Sequence, residues 1–294
     1  MVAPAAPVVT EPGGAIRLDA TQRAWVESTL ASLPLERKVA QMVVPWTGAA
    51  YLPVDSDAFD DVRRLVVELG VGGVIVSIGS VGDMALRLNL LQGLAGVPLL
   101  ISTDMEHGPG QRLDAGTLLP YGWDLGGGTD FPPAMGMGAT GNPALAEAMG
   151  RITAIEARAV GFNWTFAPVV DVNSNPDNPI INVRSYGEAP ELVARMAVGH
   201  LTGLQAGGML ATAKHFPGHG DVSVDSHIEM PLLASSRARV DSLELVPYRA
   251  AIDAGVAAIM PAHIAYPALT GDSIPATLNP RILTGLLRGE LGFD

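Results

Sequence analysis

Leu210-Ala211-Thr212-Ala213-Lys214-His215-Phe216 is an apolar run one strand long that closes on a lysine and a histidine. Runs of similar length recur at Gln41 to Pro45, Gly73 to Ile78, Pro98 to Thr103, Asn163 to Val170 and Ala257 to His263. Each is nearly continuous in hydrophobics, the pattern of a strand buried on both faces. Helical patterns flank them, at Asp19 to Ser32 with Thr21 as N-cap, then Asp57 to Leu69, Gly82 to Leu94, Pro143 to Val160, Ala189 to Ala206, Asp241 to Ala254 and Pro280 to Gly289. Strands alternating with helices predict an α/β fold with a parallel sheet. Polar residues then discriminate between its two forms. They stand at the C-terminal end of nearly every strand, as Asp104 and Glu106, Asp171, Lys214 and His215, and His263. A doubly wound sheet gathers its ligand groups at one switch point, whereas a barrel collects them from many strand ends around one rim. The expected fold is therefore a (β/α)8 TIM-like barrel, with about six strands in this sequence and a C-terminal end that reads as incomplete. Leu291-Gly292-Phe293-Asp294 resembles the approach to a seventh strand.

Composition narrows the function classes. The chain has 294 residues, 48% of them hydrophobic and only 16% charged, which suits a large core and argues against disorder. Eighteen basic against 30 acidic residues give a net charge of −12, so neither nucleic acid nor an anionic membrane is an expected partner. The absence of cysteine excludes disulfides, Cys-zinc sites, iron–sulfur clusters and thiol nucleophiles. No apolar run approaches the ~18 residues of a membrane span. The opening Met1-Val2-Ala3-Pro4-Ala5-Ala6-Pro7 lacks the basic start and apolar run of an export signal, so as it stands the chain reads as cytoplasmic. An Ala/Pro opening also suits a tether left after a signal is removed, and the protein would then be periplasmic or extracellular. Residues 1–18 are expected to be a flexible tether and 19–294 a single barrel domain. The Gly- and Pro-rich stretch Asp124 to Pro143 is expected to form a loop over the barrel mouth or base.

Gly136-Met137-Gly138-Ala139-Thr140-Gly141 matches GxGxxG, but Phe131-Pro132-Pro133-Ala134 before it cannot be a central strand, so no dinucleotide site is expected. The densest polar cluster is Lys214-His215-Phe216-Pro217-Gly218-His219-Gly220-Asp221, followed by Asp225-Ser226-His227. It holds three of the six histidines and one of only two lysines, the other being Lys38. His215 and His219 are four apart, yet Pro217-Gly218 breaks any helix that would put both on one face, so no metal is expected. Asp225 and His227 are two apart, and in an extended segment they point to the same side. The carboxylate would then accept from one imidazole nitrogen, fix the tautomer and leave the other nitrogen to exchange a proton near neutral pH.

This cluster, with its order and spacing, resembles the signature of the glycoside hydrolase family 3 β-N-acetylglucosaminidases. The resemblance runs over roughly Leu35 to Asp294, through Gly72-Gly73-Val74-Ile75, Asp104, Phe166-Ala167-Pro168-Val169-Val170-Asp171-Val172, Asn182-Val183-Arg184-Ser185-Tyr186-Gly187 and Met260-Pro261-Ala262-His263. It implies a retaining hydrolase that removes terminal, non-reducing β-linked N-acetylglucosamine from peptidoglycan or chitin fragments through a covalent glycosyl-enzyme, without a cofactor. By position it implies His227 as acid/base and Asp225 as its orienting partner, with Asp104, Arg112, Arg184, Lys214 and His215 on the sugar. Carboxylates accept from hydroxyls, while Lys and Arg donate to hydroxyl and carbonyl oxygens. Two departures stand out. The family's Asp-Gln-Glu-Gly-Gly is here Asp104-Met105-Glu106-His107-Gly108, and the nucleophilic aspartate falls beyond Asp294. The chain is thus expected to be the N-terminal part of a longer enzyme. Alternatives are a family 3 β-glucosidase, a phosphorylase with phosphate in place of water, and a non-catalytic sugar-binding module.

Overall fold

A computed structural model describes residues 6–14, 16–48, 52–114, 126–226 and 228–294. Six strands form its centre: β1 (Trp46–Thr47), β2 (Gly73–Val76), β3 (Leu100–Thr103), β4 (Trp164–Thr165), β5 (Thr212–Phe216) and β6 (Ala258–Pro261). All run parallel, and each neighbours the next in sequence. Trp46 pairs with Ile75, Val74 with Ile101, Ser102 with Trp164, and Ala213 with Ile259. Bridges Trp164–Leu210 and Val169–Lys214 carry the order from β4 to β5. A doubly wound sheet must reverse its strand order somewhere. This one never does, and an arc of consecutive strands is the geometry of a (β/α)8-type barrel wall.

Helices alternate with the strands: α1 (Ala20–Ser32), α2 (Leu35–Ala40), α3 (Asp57–Arg64, continuing as a π-helical segment Leu65–Leu69), α4 (Val81–Leu94), α5 (Ala134–Gly138), α6 (Pro143–Val160), α7 (Pro190–Ala206), α8 (Arg237–Ser242), α9 (Leu245–Asp253) and α10 (Pro267–Thr270). A last π-helical segment spans Arg281–Glu290. No helix among the described residues is long and apolar enough to cross a membrane. Val74, Val76, Ile101, Ala211, Ala213 and Phe216 from the strand runs meet Leu88, Met149, Leu201, Leu204 and Tyr248 from the helices in one buried core. Helices α6 and α7 pack backbone against backbone. A Cβ at Gly203 would come within 2.1 Å of the Glu147 carbonyl oxygen, so only glycine lets the two backbones approach this closely.

Several boundaries differ from the sequence reading for local reasons. Asp19, not Thr21, caps α1: its carboxylate accepts from the Gln22 N–H at 2.8 Å while the Gln22 side chain accepts from the Asp19 N–H at 2.9 Å. The first strand begins after Pro45, not at Gln41. Residues 41–43 turn off the end of α2, with the Met42 N–H on Val39 O and the Val43 N–H on Ala40 O, and Met42 is left 84% exposed. The helix expected over Asp241 to Ala254 is two helices. Pro247 has no N–H to give, so it must lie in a first turn, and α9 starts just before it at Leu245. The stretch expected as a loop over 124–143 carries the short α5; its first two residues lie outside the described ones. Part of the expected tether is hydrogen-bonded to the body, through Val8 N–H to Gln205 O, Thr10 Oγ1 to Gly255 O and Gly13 N–H to Ile252 O.

Candidate functional site

The C-terminal ends of the strands converge on one cavity of about 810 Å³. Ile75 of β2, Asp104 and Glu106 after β3, Phe166 after β4, Lys214 and His215 of β5, and Met260 of β6 all line it, with Arg112, Arg184, His219, Ser226 and His263. All five residues expected to contact sugar are thereby brought together: Asp104, Arg112, Arg184, Lys214 and His215.

An ion cluster forms its floor. The Lys214 side chain, 3% exposed, reaches Asp104 Oδ1 and Glu106 Oε1, each at 2.7 Å. Arg112 Nη2 donates to Asp104 Oδ2 at 3.1 Å, from a tight turn Pro109–Gln111 held beside β2 by the Gly79 N–H on the Arg112 carbonyl. Arg184 grips Glu106 with two parallel bonds, Nε to Oε2 at 2.8 Å and Nη2 to Oε1 at 2.7 Å, while its Nη1 donates to Ile180 O at 3.2 Å. Burial alone would raise the Glu106 carboxyl, but Lys214 and Arg184 together outweigh it and hold the group well below the usual carboxylate range. The same contest, with Lys214 and then Arg112 outweighing burial, lowers Asp104. Both are anions at neutral pH.

The adjoining wall is built on Asp171, whose side chain has no exposure. It takes His215 Nδ1–H at 2.7 Å, the His215 backbone N–H at 3.2 Å and the His219 backbone N–H at 2.7 Å. A carboxylate only accepts, so His215 Nδ1 carries the proton and Nε2 is the acceptor of the neutral ring. Burial, the larger influence, overcomes Asp171 and lowers the His215 pKa, which keeps that ring neutral near pH 7. The His215 and His219 rings meet edge to face at 5.4 Å, and His219 Nε2 lies 2.8 Å from Ser226 Oγ. The turn that swings His219 back over Asp171 passes so close to Val172 that a Cβ at Gly220 would stand 1.6 Å from its carbonyl oxygen. The two walls are tied by Asn178. Its Oδ1 accepts from the Ile180 and Ile181 N–H groups, which lead to Arg184, and its Nδ2 donates to His219 O at 2.8 Å.

The expected acid/base pair is described only in part. His227 lies outside the described residues. Asp225 does not sit in an extended segment: its carbonyl accepts from the Ile228 and Glu229 N–H groups at 3.0 Å, so the chain turns there, and same-side placement by strand alternation does not apply. Glu106 and Asp171, which the sequence shows only as polar residues near strand ends, and His219, which it shows only within the polar cluster, have no role assigned from sequence, yet they organise the cavity. An acidic residue directly beyond a strand buried on both faces has to find a cation or a donor, and that was the available signal. No group of acidic or histidine side chains among the described residues is arranged to hold a metal ion.

A family model, the Glycosyl hydrolase family 3 N terminal domain, matches residues 34–294. Beta-hexosaminidase A of Pseudoalteromonas piscicida is 34% identical over 253 residues, covering 80% of this chain and 41% of that protein. Among solved structures, a glycoside hydrolase family 3 beta-N-acetylglucosaminidase from Paenibacillus sp. str. FPU-7 superposes with a TM-score of 0.77 at 41% identity, over 90% of this chain and 48% of that one. The beta-glucoside phosphorylase BglX gives 0.79 at 30% identity, over 97% and 48%. The chain spans less than half the length of each of these three proteins. This likeness places the arc of six parallel strands in the (β/α)8 barrel of the family.

Proposed function

The chain belongs to glycosyl hydrolase family 3, and from that membership we propose that it supplies the sugar site of a retaining β-N-acetylglucosaminidase acting on peptidoglycan or chitin fragments. The observation that carries the reading is the convergence of Asp104, Lys214, Glu106, Arg184 and His215 on one cavity at the strand C-termini. Two carboxylates, Asp104 and Glu106, meet three cations, Arg112, Arg184 and Lys214, and the Asp171 carboxylate buried behind His215 brings the formal charge of the cluster to zero. It offers an uncharged ring both acceptors and charge-assisted donors.

In this reading Asp104 accepts from sugar hydroxyls, while Lys214, Arg112 and Arg184 donate to ring substituents with the N–H bonds they have left. His227 delivers a proton to the leaving oxygen and Asp225 orients it. Asp104 and Glu106 are committed to cations, and Asp171 to His215 and His219, so none is assigned as nucleophile. That role goes, with the resemblance, to a carboxylate beyond Asp294. Attack on the anomeric carbon forms the glycosyl–carboxylate bond as the aglycone leaves with the His227 proton; water, giving a proton to His227, then attacks the same carbon, breaks the glycosyl–carboxylate bond and frees the sugar and the carboxylate.

Calorimetry with N-acetylglucosamine on this chain, beside hydrolysis of an aryl β-N-acetylglucosaminide by the same preparation and by the protein extended past Asp294, tests the proposal. Saturable binding by the chain and turnover by the extended protein are expected. Absent binding, or glucose bound as tightly, would overturn it. Binding without turnover by the extended protein would favour a non-catalytic module. Phosphorolysis is a second reading, favoured by the likeness to a phosphorylase and by a histidine acid/base, which repels an incoming anion less than a carboxylate does. Turnover that rises with added phosphate and yields a sugar phosphate would select it.

A further inference from the structure

We propose that Glu106 is the positioning residue of this site: it sets which N–H bonds of Lys214 and Arg184 remain for a saccharide, without itself touching the sugar. The inference rests on the sugar-binding reading above and deepens it.

Lys214 has three N–H bonds and Arg184 five. Lys214 commits one to Asp104 Oδ1 and one to Glu106 Oε1, which leaves a single direction for a ligand. Arg184 commits Nε and one Nη2 hydrogen to the two oxygens of Glu106, and one Nη1 hydrogen to Ile180 O. Its plane is thereby locked, and the donors left are one on each terminal nitrogen. Glu106 Oε1 is the atom common to both cations, at 2.7 Å from each. Its own position is set from behind, where its backbone N–H donates to Gln111 Oε1 at 2.6 Å. At 8% side-chain exposure it has little surface left for a ligand, whereas Asp104 keeps 33%. The two carboxylates around Lys214 therefore divide the work: Asp104 faces the cavity and Glu106 holds the donors.

Substitution separates geometry from charge. Glu106→Gln removes one acceptor and turns an N–H₂ toward a cation, so Lys214 and Arg184 cannot both keep their contacts. Glu106→Asp keeps the charge but is one methylene short, so it cannot hold Arg184 through both oxygens and still reach Lys214. The readout is the affinity of the chain for N-acetylglucosamine and for its 3-, 4- and 6-deoxy analogues, by calorimetry at pH 7. Loss of one charge-assisted bond corresponds to about ten- to hundredfold in affinity. Both variants are expected to bind N-acetylglucosamine that much more weakly. At least one deoxy position that costs the wild type tenfold or more should cost the variants less than threefold, because the hydroxyl and the carboxylate act through the same donor. A role confined to stability or to net charge predicts that folded Glu106→Asp binds with undiminished affinity and full discrimination among the analogues. That result overturns the proposal, and if Glu106→Gln does not fold, Glu106→Asp carries the test alone. Failure of the wild-type chain to bind any of these saccharides refutes the underlying sugar-site reading instead, and this inference with it.

Discussion

Acidification should loosen the scaffold behind the cavity through one side chain. His200 lies on α7, fully buried, with its Nδ1 2.7 Å from Tyr186 Oη, two residues past Arg184. Burial lowers its pKa from 6.5 to about 4. Among the described residues its Nε2 has no hydrogen-bond partner, so a second proton would place an unanswered N–H in the core. For a basic group with a depressed folded pKa, the contribution to stability is complete above the unfolded value near 6.5. It drains away as the pH falls toward 4, because the unfolded chain takes up the proton first. Two and a half pH units at about 1.4 kcal/mol each amount to about 3 kcal/mol. His200→Gln isolates this from every carboxylate that titrates in the same range. At pH 7.5 the variant is expected to be about 1–3 kcal/mol less stable, through the altered partner of Tyr186 and imperfect packing. By pH 4 the gap should close or reverse, since only the wild type has lost its share. Urea unfolding followed by tryptophan fluorescence, in half-unit steps between pH 8 and 4, gives both curves. A wild-type minus variant difference that stays constant across that range would refute the reasoning.

Four further outcomes are expected. Lys214→Met leaves a buried Glu106 and a half-buried Asp104 around no lysine, so thermal unfolding at pH 7 should reveal a loss of about 3–5 kcal/mol, partly regained near pH 4 where those carboxylates take up protons; an unchanged melting temperature would contradict the ion cluster. Asp171→Asn takes an acceptor from His215 Nδ1–H and the His219 N–H, and affinity for N-acetylglucosamine should fall about ten- to hundredfold by calorimetry; equal affinity would sever His215 from the sugar. In the protein extended past Asp294, His227→Ala should lower turnover of natural glycosides by about 10²–10⁴, and of aryl glycosides with good leaving groups by less. Equal losses on both would remove His227 as proton donor. Asp225→Asn should shift the pH profile of turnover in the same protein, and an unshifted profile would remove Asp225 as its orienting partner.

What could be read from the sequence depended on how local the cause was. The helix Pro143–Val160 was legible to the residue, because Asn142 and Pro143 begin it and Gly161 ends it in a left-handed conformation. The end of β3 was legible too, since Asp104 interrupts the apolar run directly after Thr103, whereas the apolar run before Asp171 overstated its strand, which ends at Thr165. The role of Glu106 was not. Its partners, Arg184 and Lys214, lie 78 and more than 100 residues away, and no local pattern distinguishes it from Asp104. Met42 and Val43 read as strand because apolar residues after a helix usually enter the sheet. Here the turn closing α2 and the Gln41 side chain, which donates to Gly70 O at 2.9 Å, hold them at the surface instead. The turn at Asp225 escaped for a related reason: Asp-Ser-His has no glycine or proline to announce it.

Asn178 has a use that does not depend on knowing the ligand. Its carbonyl oxygen anchors the Ile181 N–H, buried on the Arg184 side, while its amide holds the His219 carbonyl on the other. Hydrogen exchange at Ile181 therefore requires that anchor to let go, and with it the grip on the opposite loop. The Ile181 amide is a built-in gauge: a molecule that settles only against His215 and His219 should still slow deuterium uptake across the cavity, at a proton it never meets.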